Sequence, residues 1–515
     1  MFTHTNESER LKHMSLEEKV GQLFTLTNRG TELTERTRRL VAERKVGGIF
    51  LDMDSLVTPE QVRRLTAGLQ CTALEEGAGL PLFISADFVA GAGCKLQGGA
   101  VHFPKNKAIG AAGDESLAYE SGRITAKESL AMGVNFNYSP VVDINNNPDN
   151  PVIGTHSFGE ERGLVARLGR AVIQGYQEHG LIATAKHFPG HGDTNVDSHL
   201  ALPVLDFDTA RLESFELYPF REAIDAGVEA IMVGHIAVPA WDDSLRPASL
   251  SKEITTGWLR ERLGFKGLIV TDGLSMKGVT AAYALPEACV LALEAGADIL
   301  LATGETPEEE DAMVEAVVQA VRSGRLPLER IEASVARILK TKERFGLSRR
   351  STEAGLAGAD FANDPAYEVI SLKLARKAAA TLNGMRPVLT EREEGLSWTL
   401  LWDRQTEVFR DLVKESFPFA GERCLDSYKD AADALQACGQ GPVLLSLTHN
   451  KLMDSEVLEA IRRLSAERKN VYLVHFGSGY DLRHLTDVPV LLMYDRAPSL
   501  QKAAAEYVLD KELQP

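Results

Sequence analysis

The sequence predicts an α/β protein built as a (β/α)8 barrel of the TIM type, followed by a smaller α/β sandwich domain. Three observations carry this prediction. The chain has 515 residues, its first two-thirds alternate eight short apolar runs with helical patterns, and four more such runs follow a break near residue 348. Continuous apolar runs are typical of parallel strands buried on both faces, and eight βα units in roughly 250–350 residues indicate a barrel. A doubly wound open sheet is the alternative.

The candidate barrel strands are spaced widely enough to hold a helix after each one. They are residues 23–27, 48–51, 82–87, 134–140, 184–188, 230–236, 268–272 and 297–302. A capping box predicts the start of the opening helix, because Ser15 is followed three residues later by Glu18.

The chain divides into three predicted segments. The barrel domain spans residues 1–347, and residues 348–365 form a linker rich in Gly, Ala, Ser and Asp. Residues 366–515 form the C-terminal α/β domain, which is of a common domain size. Its helix is predicted over residues 369–382, and its strands over residues 398–402, 443–447, 471–476 and 488–493.

Net charge, the length of apolar runs and cysteine spacing argue against several classes of protein. A formal charge of -17 argues against non-specific binding to nucleic acid or to anionic lipid. No apolar run is long enough to span a membrane, and the N-terminal residues lack the apolar core of a secretory signal. The five cysteines show no CxxC spacing, which favours reduced thiols over disulfides. We therefore expect a cytoplasmic protein.

Polar residues collect at the ends of the predicted barrel strands, where barrel enzymes build their active sites. These residues are Asp87, Lys186, His187, His235 and Asp272. One polar residue at a strand end is often structural. Several converging on one face of the barrel indicate a functional site.

The densest motif is KHFPGHGDTNVDSH, residues 186–199. Its glycines and proline predict a loop, for which three interpretations are open. The three are a solvated loop, a metal site formed by His187, His191, Asp193 and His199, and a loop that transfers protons. In the last case Asp197 accepts a hydrogen bond from one ring nitrogen of His199 and leaves the other for the substrate.

Asp272 follows a buried apolar run and precedes Gly273, which permits a sharp turn. Asp272 is either the N-cap of the next helix or a carboxylate aimed into the barrel mouth. A retaining glycosidase needs a nucleophilic carboxylate and an acid/base group on the other side of the scissile bond. Asp272 and His199 would fill these roles.

These motifs resemble glycoside hydrolase family 3, in its bacterial β-N-acetylglucosaminidase branch, over most of residues 10–347. Residues 14–23 (MSLEEKVGQL) are similar to the family's first helix, residues 186–199 to its hallmark loop, and residues 271–276 (TDGLSM) to its nucleophile segment. The resemblance implies a barrel with no metal and no organic cofactor, with Asp272 as nucleophile and Asp197–His199 as acid/base dyad. It further implies that the sugar hydroxyls are held by Asp87, Lys186, His187 and His235.

Two segments depart from the pattern of this branch. Asp87 is followed by Phe-Val-Ala-Gly, where the branch usually has Gln-Glu-Gly-Gly. His156 stands in GTHSFG, where the branch usually has arginine. Arginine offers a fixed fork of donors and histidine at most two, so we expect His156 to make a different contact with the substrate.

The resemblance implies a retaining β-N-acetylhexosaminidase that releases terminal β-linked N-acetylglucosamine from small oligosaccharides, either chitin oligomers or muropeptides of the cell wall. A β-glucosidase-type member of the family, a metal-dependent barrel hydrolase and a non-catalytic sugar-binding protein are the alternatives. An N-acetylglucosaminide phosphorylase is another, since a neutral histidine base repels phosphate less than a carboxylate does. The second domain either packs beside the barrel or completes a partner's site in a homodimer.

Overall fold

The computed structural model describes residues 7–348, 364–389, 397–438, 441–449, 453–468 and 471–511. Eight parallel strands follow one another in chain order around the first sheet. A bridge between Val270 and Ile299 joins β7 to β8 and closes the sheet, which confirms the (β/α)8 barrel. The strands are β1 Phe24–Asn28, β2 Gly48–Leu51, β3 Phe83–Ala86, β4 Phe136–Asn137, β5 Ile182–Phe188, β6 Ala230–Val233, β7 Leu268–Thr271 and β8 Leu300–Ala302.

Helices connect these strands. Ser15 begins α2 as predicted, accepting a hydrogen bond from the Glu18 N–H at 3.1 Å while Glu18 accepts one from the Ser15 N–H at 2.8 Å. The helices are α1 Glu7–His13, α2 Leu16–Gly21, α3 Glu35–Ala42, α4 Pro59–Glu75, α5 Asn106–Ala112, α6 Glu115–Ala131, α7 Arg162–Glu178, α8 Thr209–Ser214, α9 Tyr218–Asp225, α10 Lys277–Thr280, α11 Leu285–Ala295, α12 Pro307–Arg322 and α13 Leu328–Arg344, with a wider helical segment at Glu253–Arg262.

The barrel strands read as apolar runs because both of their faces are buried. Every residue of β3, β6 and β7 is buried, as expected for parallel strands covered by helices on one face and by the barrel interior on the other. The first polar side chain after each run therefore falls at the carboxyl end of a strand. That end of the barrel carries the candidate site.

Among the described residues, the second sheet has six strands in the order β11-β10-β12-β13-β14-β9, of which β9 alone is antiparallel. The neighbours Leu400 and Leu401 pack into separate apolar clusters on the two faces, so helices cover the sheet on both sides. This confirms the α/β sandwich. Its elements are α14 Pro365–Ala378, β9 Ala380–Thr381, β10 Thr399–Asp403, α15 Glu407–Ser416, β11 Gly421–Leu425, α16 Ala431–Ala437, β12 Val443–Leu447, α17 Ser455–Arg468, β13 Val471–His475, β14 Val490–Leu492 and α18 Pro498–Val508.

Two elements of the sandwich differ from the sequence prediction. The helix predicted to reach residue 382 ends at Ala378, and the chain then enters β9. Strand β11 was not predicted, because most of its side chains are exposed and it lacks an apolar run. The predicted linker falls largely on residues 349–363, outside the described residues, so the domain boundaries stay a prediction.

The sandwich lies beside the barrel. Helix α14 packs against α5 and α6 of the barrel and against α18 of the sandwich. Ala108 of α5 belongs to the apolar cluster of the sandwich. Within the described segments no helix is long and apolar enough to cross a bilayer, and the five cysteines, all described, form no disulfide.

Candidate active site

The end of strand β5 carries a lysine and a histidine that each meet a carboxylate. The pairing of β5 with β6 shifts register between Ala185 and Phe188, and this irregularity falls on Lys186 and His187. Lys186 donates to Asp87 at 2.7 Å. Burial alone would raise the pKa of Asp87, but the Lys186 ammonium holds it below its usual value. The structure thus brings two predicted site residues from β3 and β5 into contact.

His187 is held by Asp143, a buried residue of the loop after β4. Asp143 accepts hydrogen bonds from His187 Nδ1 at 2.8 Å and from the backbone N–H groups of His187 and His191 at 3.1 and 2.8 Å. Burial would raise the pKa of Asp143, yet His187 and these donors lower it. An ionised carboxylate only accepts, so Nδ1 carries the proton and Nε2 is left to face a ligand.

Asp272 lies directly after β7 and is mostly buried. Its backbone N–H donates to Val233 at 2.9 Å, and its Oδ1 accepts from the Gly273 N–H at 2.8 Å. Burial alone would raise the pKa of Asp272, but His187, His235 and the Gly273 N–H together hold it below its usual value. The carboxylate is therefore kept ionised, the state a nucleophile needs.

His235 is fully buried, and both of its ring nitrogens are bonded within the protein. Nε2 donates to the Gly273 carbonyl at 2.9 Å, and Nδ1 accepts from the Ser249 hydroxyl at 2.7 Å. Because a carbonyl only accepts, this tautomer is fixed. The geometry does not fit the prediction that His235 contacts a sugar hydroxyl. His235 instead holds the turn that follows Asp272.

Asp197 and His199 form the expected pair on the loop after β5. Asp197 Oδ1 accepts from both the backbone N–H and the Nδ1 of His199, each at 2.8 Å. Burial would raise the pKa of Asp197, but these two bonds lower it. The side chain of His199 is 64% exposed, so its Nε2 can reach a substrate from the solvent side.

Ser198, between the two members of the pair, ties the loop to the rest of the site. Its hydroxyl lies 3.1 Å from His191 Nε2, and its carbonyl accepts from the Gly278 N–H at 3.1 Å. Gly278 follows Asp272 by six positions, so the loop with His199 is fixed beside the segment with Asp272. His191 Nδ1 lies 2.7 Å from the Thr194 hydroxyl. Both ring nitrogens of His191 thus lie within hydrogen-bond distance of hydroxyl groups of the same loop, and His191 stabilises the loop.

The same loop packs closely on the loop after β4. A Cβ atom on Gly192 would lie 1.8 Å from the Ile144 carbonyl oxygen, and Gly190 has φ +127°. Only glycine tolerates this approach and this backbone conformation. Among the described residues, no group of three or more His, Cys, Asp or Glu side chains is placed to hold a metal ion.

His156 lies near the Asp87–Lys186 pair, whose charges both act on it. Burial, together with the charge of Lys105, lowers the pKa of His156 to about 3, so the ring is neutral near pH 7. Its backbone carbonyl accepts from Asn106 at 2.8 Å. The position that usually holds arginine therefore offers a neutral imidazole, and Lys186 and Lys105 supply the positive charge.

Comparisons with known proteins identify the family of this chain. The model of the glycosyl hydrolase family 3 N-terminal domain matches residues 15–341. A protein named β-hexosaminidase A from Pseudoalteromonas piscicida is 33% identical over 369 residues, which are 68% of this chain and 61% of that protein. A β-hexosaminidase from Methylobacillus flagellatus is 33% identical over 291 residues, 55% of this chain and 81% of that protein.

A solved structure covers both parts of the molecule. It is a family 3 β-N-acetylglucosaminidase from Paenibacillus sp. str. FPU-7, with a TM-score of 0.88 and 34% identity over 97% of each chain. This chain spans only about three fifths of the Pseudoalteromonas relative. The family match covers well over half of the sequence and includes every residue of the site described above. The chain belongs to glycosyl hydrolase family 3.

Proposed function

We propose that the protein is a retaining β-N-acetylhexosaminidase that releases terminal β-linked N-acetylglucosamine. One observation carries the proposal. An ionised carboxylate, Asp272, closes β7, and the Asp197–His199 pair sits on a loop that Ser198 ties to the segment following Asp272. The names of the relatives from Pseudoalteromonas and Paenibacillus support the choice of sugar.

In the first step Asp272 attacks the anomeric carbon and forms a bond to it. The bond from that carbon to the leaving oxygen breaks, and His199 donates its Nε2 proton to this oxygen. Asp197 fixes the orientation of the ring by its bond to Nδ1, which leaves Nε2 to serve as the proton donor.

In the second step His199, now neutral, accepts a proton from water. The water oxygen attacks the anomeric carbon, the bond to Asp272 breaks, and the sugar leaves with retained configuration. Asp87, Lys186 and His187 are proposed to hold the hydroxyls of the terminal sugar, since their polar atoms lie together at the ends of β3 and β5. His156 is proposed to contact the sugar beside them.

Natural substrates are proposed to be short chitin oligomers or muropeptides, which links the enzyme to chitin degradation or to cell-wall recycling. The five thiols outside disulfides are favoured by a reducing compartment, and we propose a cytoplasmic site of action. Comparing turnover of chitobiose with turnover of a purified muropeptide separates the two substrate classes.

The function is tested with a panel of aryl β-glycosides that differ only in the sugar: N-acetylglucosaminide, N-acetylgalactosaminide, glucoside and xyloside. We expect the N-acetylglucosaminide to have the highest kcat/KM, and exhaustive dialysis against a chelator to leave the rate unchanged. A preference for the glucoside would replace the proposal with a β-glucosidase. Loss of activity with the chelator would favour a metal-dependent hydrolase.

A further inference from the structure

Tyr480 joins the sandwich to the loop after β4 of the barrel. Its hydroxyl accepts from Asn145 Nδ2 at 2.8 Å and donates to the Asn145 backbone carbonyl at 3.2 Å. The tyrosine is only 8% exposed, and burial raises its pKa to about 12. It therefore stays a protonated hydroxyl that can accept and donate at once.

Charged side chains fix the ring of Tyr480 from both parts of the molecule. The Lys107 ammonium of the barrel lies 5.2 Å from the ring centre, and the Arg483 guanidinium of the sandwich lies 5.4 Å from it. Both cations pair with Glu160 at 3.2 Å. The position of the hydroxyl is thus set by contacts that do not depend on Asn145.

Asn145 begins a short run of asparagines that bridges to the acid/base loop. Its Oδ1 accepts from the Gly154 N–H at 3.0 Å. The side-chain amides of three asparagines that follow it donate hydrogen bonds to residues of the 186–199 loop. These bonds are Asn146 to Asp193 at 2.6 Å, Asn147 to Asn195 at 2.5 Å, and Asn150 to the His191 carbonyl at 2.8 Å.

We propose that the sandwich positions the acid/base loop through Tyr480, acting by way of Asn145 and the asparagines that follow it. The side chain of His199 is 64% exposed, and its hydrogen bonds go to Asp197 of the same loop, so its place depends on how the loop is held. Proton transfer is sensitive to small displacements, and about 1 Å costs about 10²-fold in rate. Tyr480 is a positioning residue, and the inference rests on the proposed role of His199.

Tyr480→Phe tests this inference, because it removes the hydroxyl and keeps the ring between Lys107 and Arg483. Two N-acetylglucosaminides are compared, one with a good and one with a poor leaving group. We expect kcat for the poor leaving group to fall about tenfold, because the variant loses both hydrogen bonds to Asn145 and the loop is held less firmly. The good leaving group, which needs little protonation, should lose less than about twofold. KM should stay the same for both.

Two further variants sharpen the test. Asn147→Ala cuts one bridge to the loop without touching Tyr480, and it should give the same selective loss. Lys377→Met removes the ion pair between α14 and Asp114, at 2.6 Å, which lies away from the loop. It should leave both rates as in the wild type, and it controls for a general effect of loosening contacts of α14 with the barrel.

His199→Ala is measured beside them to separate the inference from the proposed function. Suppose that His199→Ala lowers kcat selectively for the substrate with the poor leaving group, while Tyr480→Phe lowers kcat equally for both substrates or for neither. The positioning inference is then wrong and the proposed function stands. If His199→Ala itself shows no selectivity, the acid/base assignment fails and the inference fails with it.

Discussion

Asp272 and His199 lie in contrasting surroundings. Asp272 is mostly buried behind β7 and its pKa is lowered by neighbouring donors, whereas the side chain of His199 is 64% exposed. A substitution at either position keeps most packing contacts, because the first can be made isosteric and the second removes little buried surface. Effects on turnover can therefore be separated from effects on folding.

We predict that Asp272→Asn lowers turnover by roughly 10³-fold or more, since an amide cannot attack the anomeric carbon. The amide oxygen can still accept from the Gly273 N–H, so the thermal midpoint should change little. Mass spectrometry after incubation of the wild type with a 2-fluoro or 5-fluoro glycosyl donor checks the assignment. A label on the peptide containing Asp272 is expected, and a label on a different carboxylate would show that the nucleophile is elsewhere.

We predict that His199→Ala lowers the rate for poor leaving groups by about 10²–10⁴-fold, as for loss of a general acid, and partly spares good ones. Asp197→Ala should give the same pattern more mildly, because Asp197 orients the ring without touching the leaving group. The measurement is kcat/KM over a series of aryl leaving groups. Equal losses across the series would assign His199 a structural role.

The residues nearest the chemistry differ in how far the sequence could predict them. Asp197 and His199 are two positions apart, so their pairing can be expected from local spacing. Asp143 was missed because its partner His187 lies 44 positions away and nothing in its own segment marks it. His235 was predicted at the correct strand end, but only the structure shows that Ser249 and Gly273 occupy both of its nitrogens.

Helix α6 carries a glutamate, Glu128, whose ionisation destabilises the folded protein. Glu128 reaches the loop after β3 and accepts from the Val101 N–H at 3.0 Å. Burial, with the nearby charge of Glu368, raises the pKa of Glu128 to about 8. The folded protein therefore holds the proton over a range of pH in which the unfolded chain, with its ordinary Glu pKa of about 4.3, has lost it.

We predict that this site makes stability fall as pH rises. Its contribution is complete below about pH 4.3 and is lost as the pH passes through about 8, at up to about 1.4 kcal/mol per pH unit in that window. Glu128→Gln keeps the acceptor for Val101 and removes the titration. The urea midpoint of the variant should fall less between pH 5 and pH 8 than that of the wild type.

Glu368→Gln provides a comparison for this prediction. It removes only the neighbouring charge that helps to raise the pKa of Glu128, so it should change the pH dependence in the same direction by a smaller amount. An unchanged dependence in Glu128→Gln would mean that Glu128 is already ionised in the folded protein at pH 5.

The predictability of elements follows their burial. Strands β6 and β7, buried throughout, were predicted within a few residues because burial on both faces demands apolar runs. Strand β11 was missed because it lies at the edge of its sheet with exposed side chains. The helix predicted to residue 382 ends at Ala378, since the next residues pair with β14, a tertiary contact that local pattern does not encode.

On the scale of the whole molecule, a formal charge of -17 surrounds a site that contains Lys186 and Lys105. Anions at a distance are repelled by the net charge, whereas close to the site Lys186, although paired with Asp87, offsets part of the negative charge of the carboxylates. The long-range part is screened by salt, with a Debye length of about 10 Å at 0.1 M. The short-range part is screened much less.

We predict that inorganic phosphate competes with water for the glycosyl-enzyme, because the proposed base is a neutral imidazole at that stage. Two like charges about 4 Å apart cost roughly 1 kcal/mol in water and several-fold more in a drier site, a cost that a carboxylate base would impose. N-Acetylglucosamine 1-phosphate should form in millimolar phosphate. Its share of product should rise with added neutral salt.

The check is to assay that product with and without phosphate at two ionic strengths. Chloride salts provide the matched control, because they change ionic strength without supplying a nucleophilic phosphate. If no sugar phosphate forms and the rate is unchanged, the acceptor argument fails while the hydrolase proposal is unaffected.

The Asp197–His199 pair has a consequence for how such an enzyme changes over evolutionary time. Its two internal hydrogen bonds lie within three consecutive residues, whereas Asp87, Lys186 and Asp272 are supplied by separate strands. Both members of the proton-transfer pair therefore lie on one short segment of a single loop. An insertion or deletion there can install, remove or exchange it while the sugar pocket is preserved. Enzymes with this barrel can thus evolve to use a different acceptor while the residues that bind the sugar stay the same.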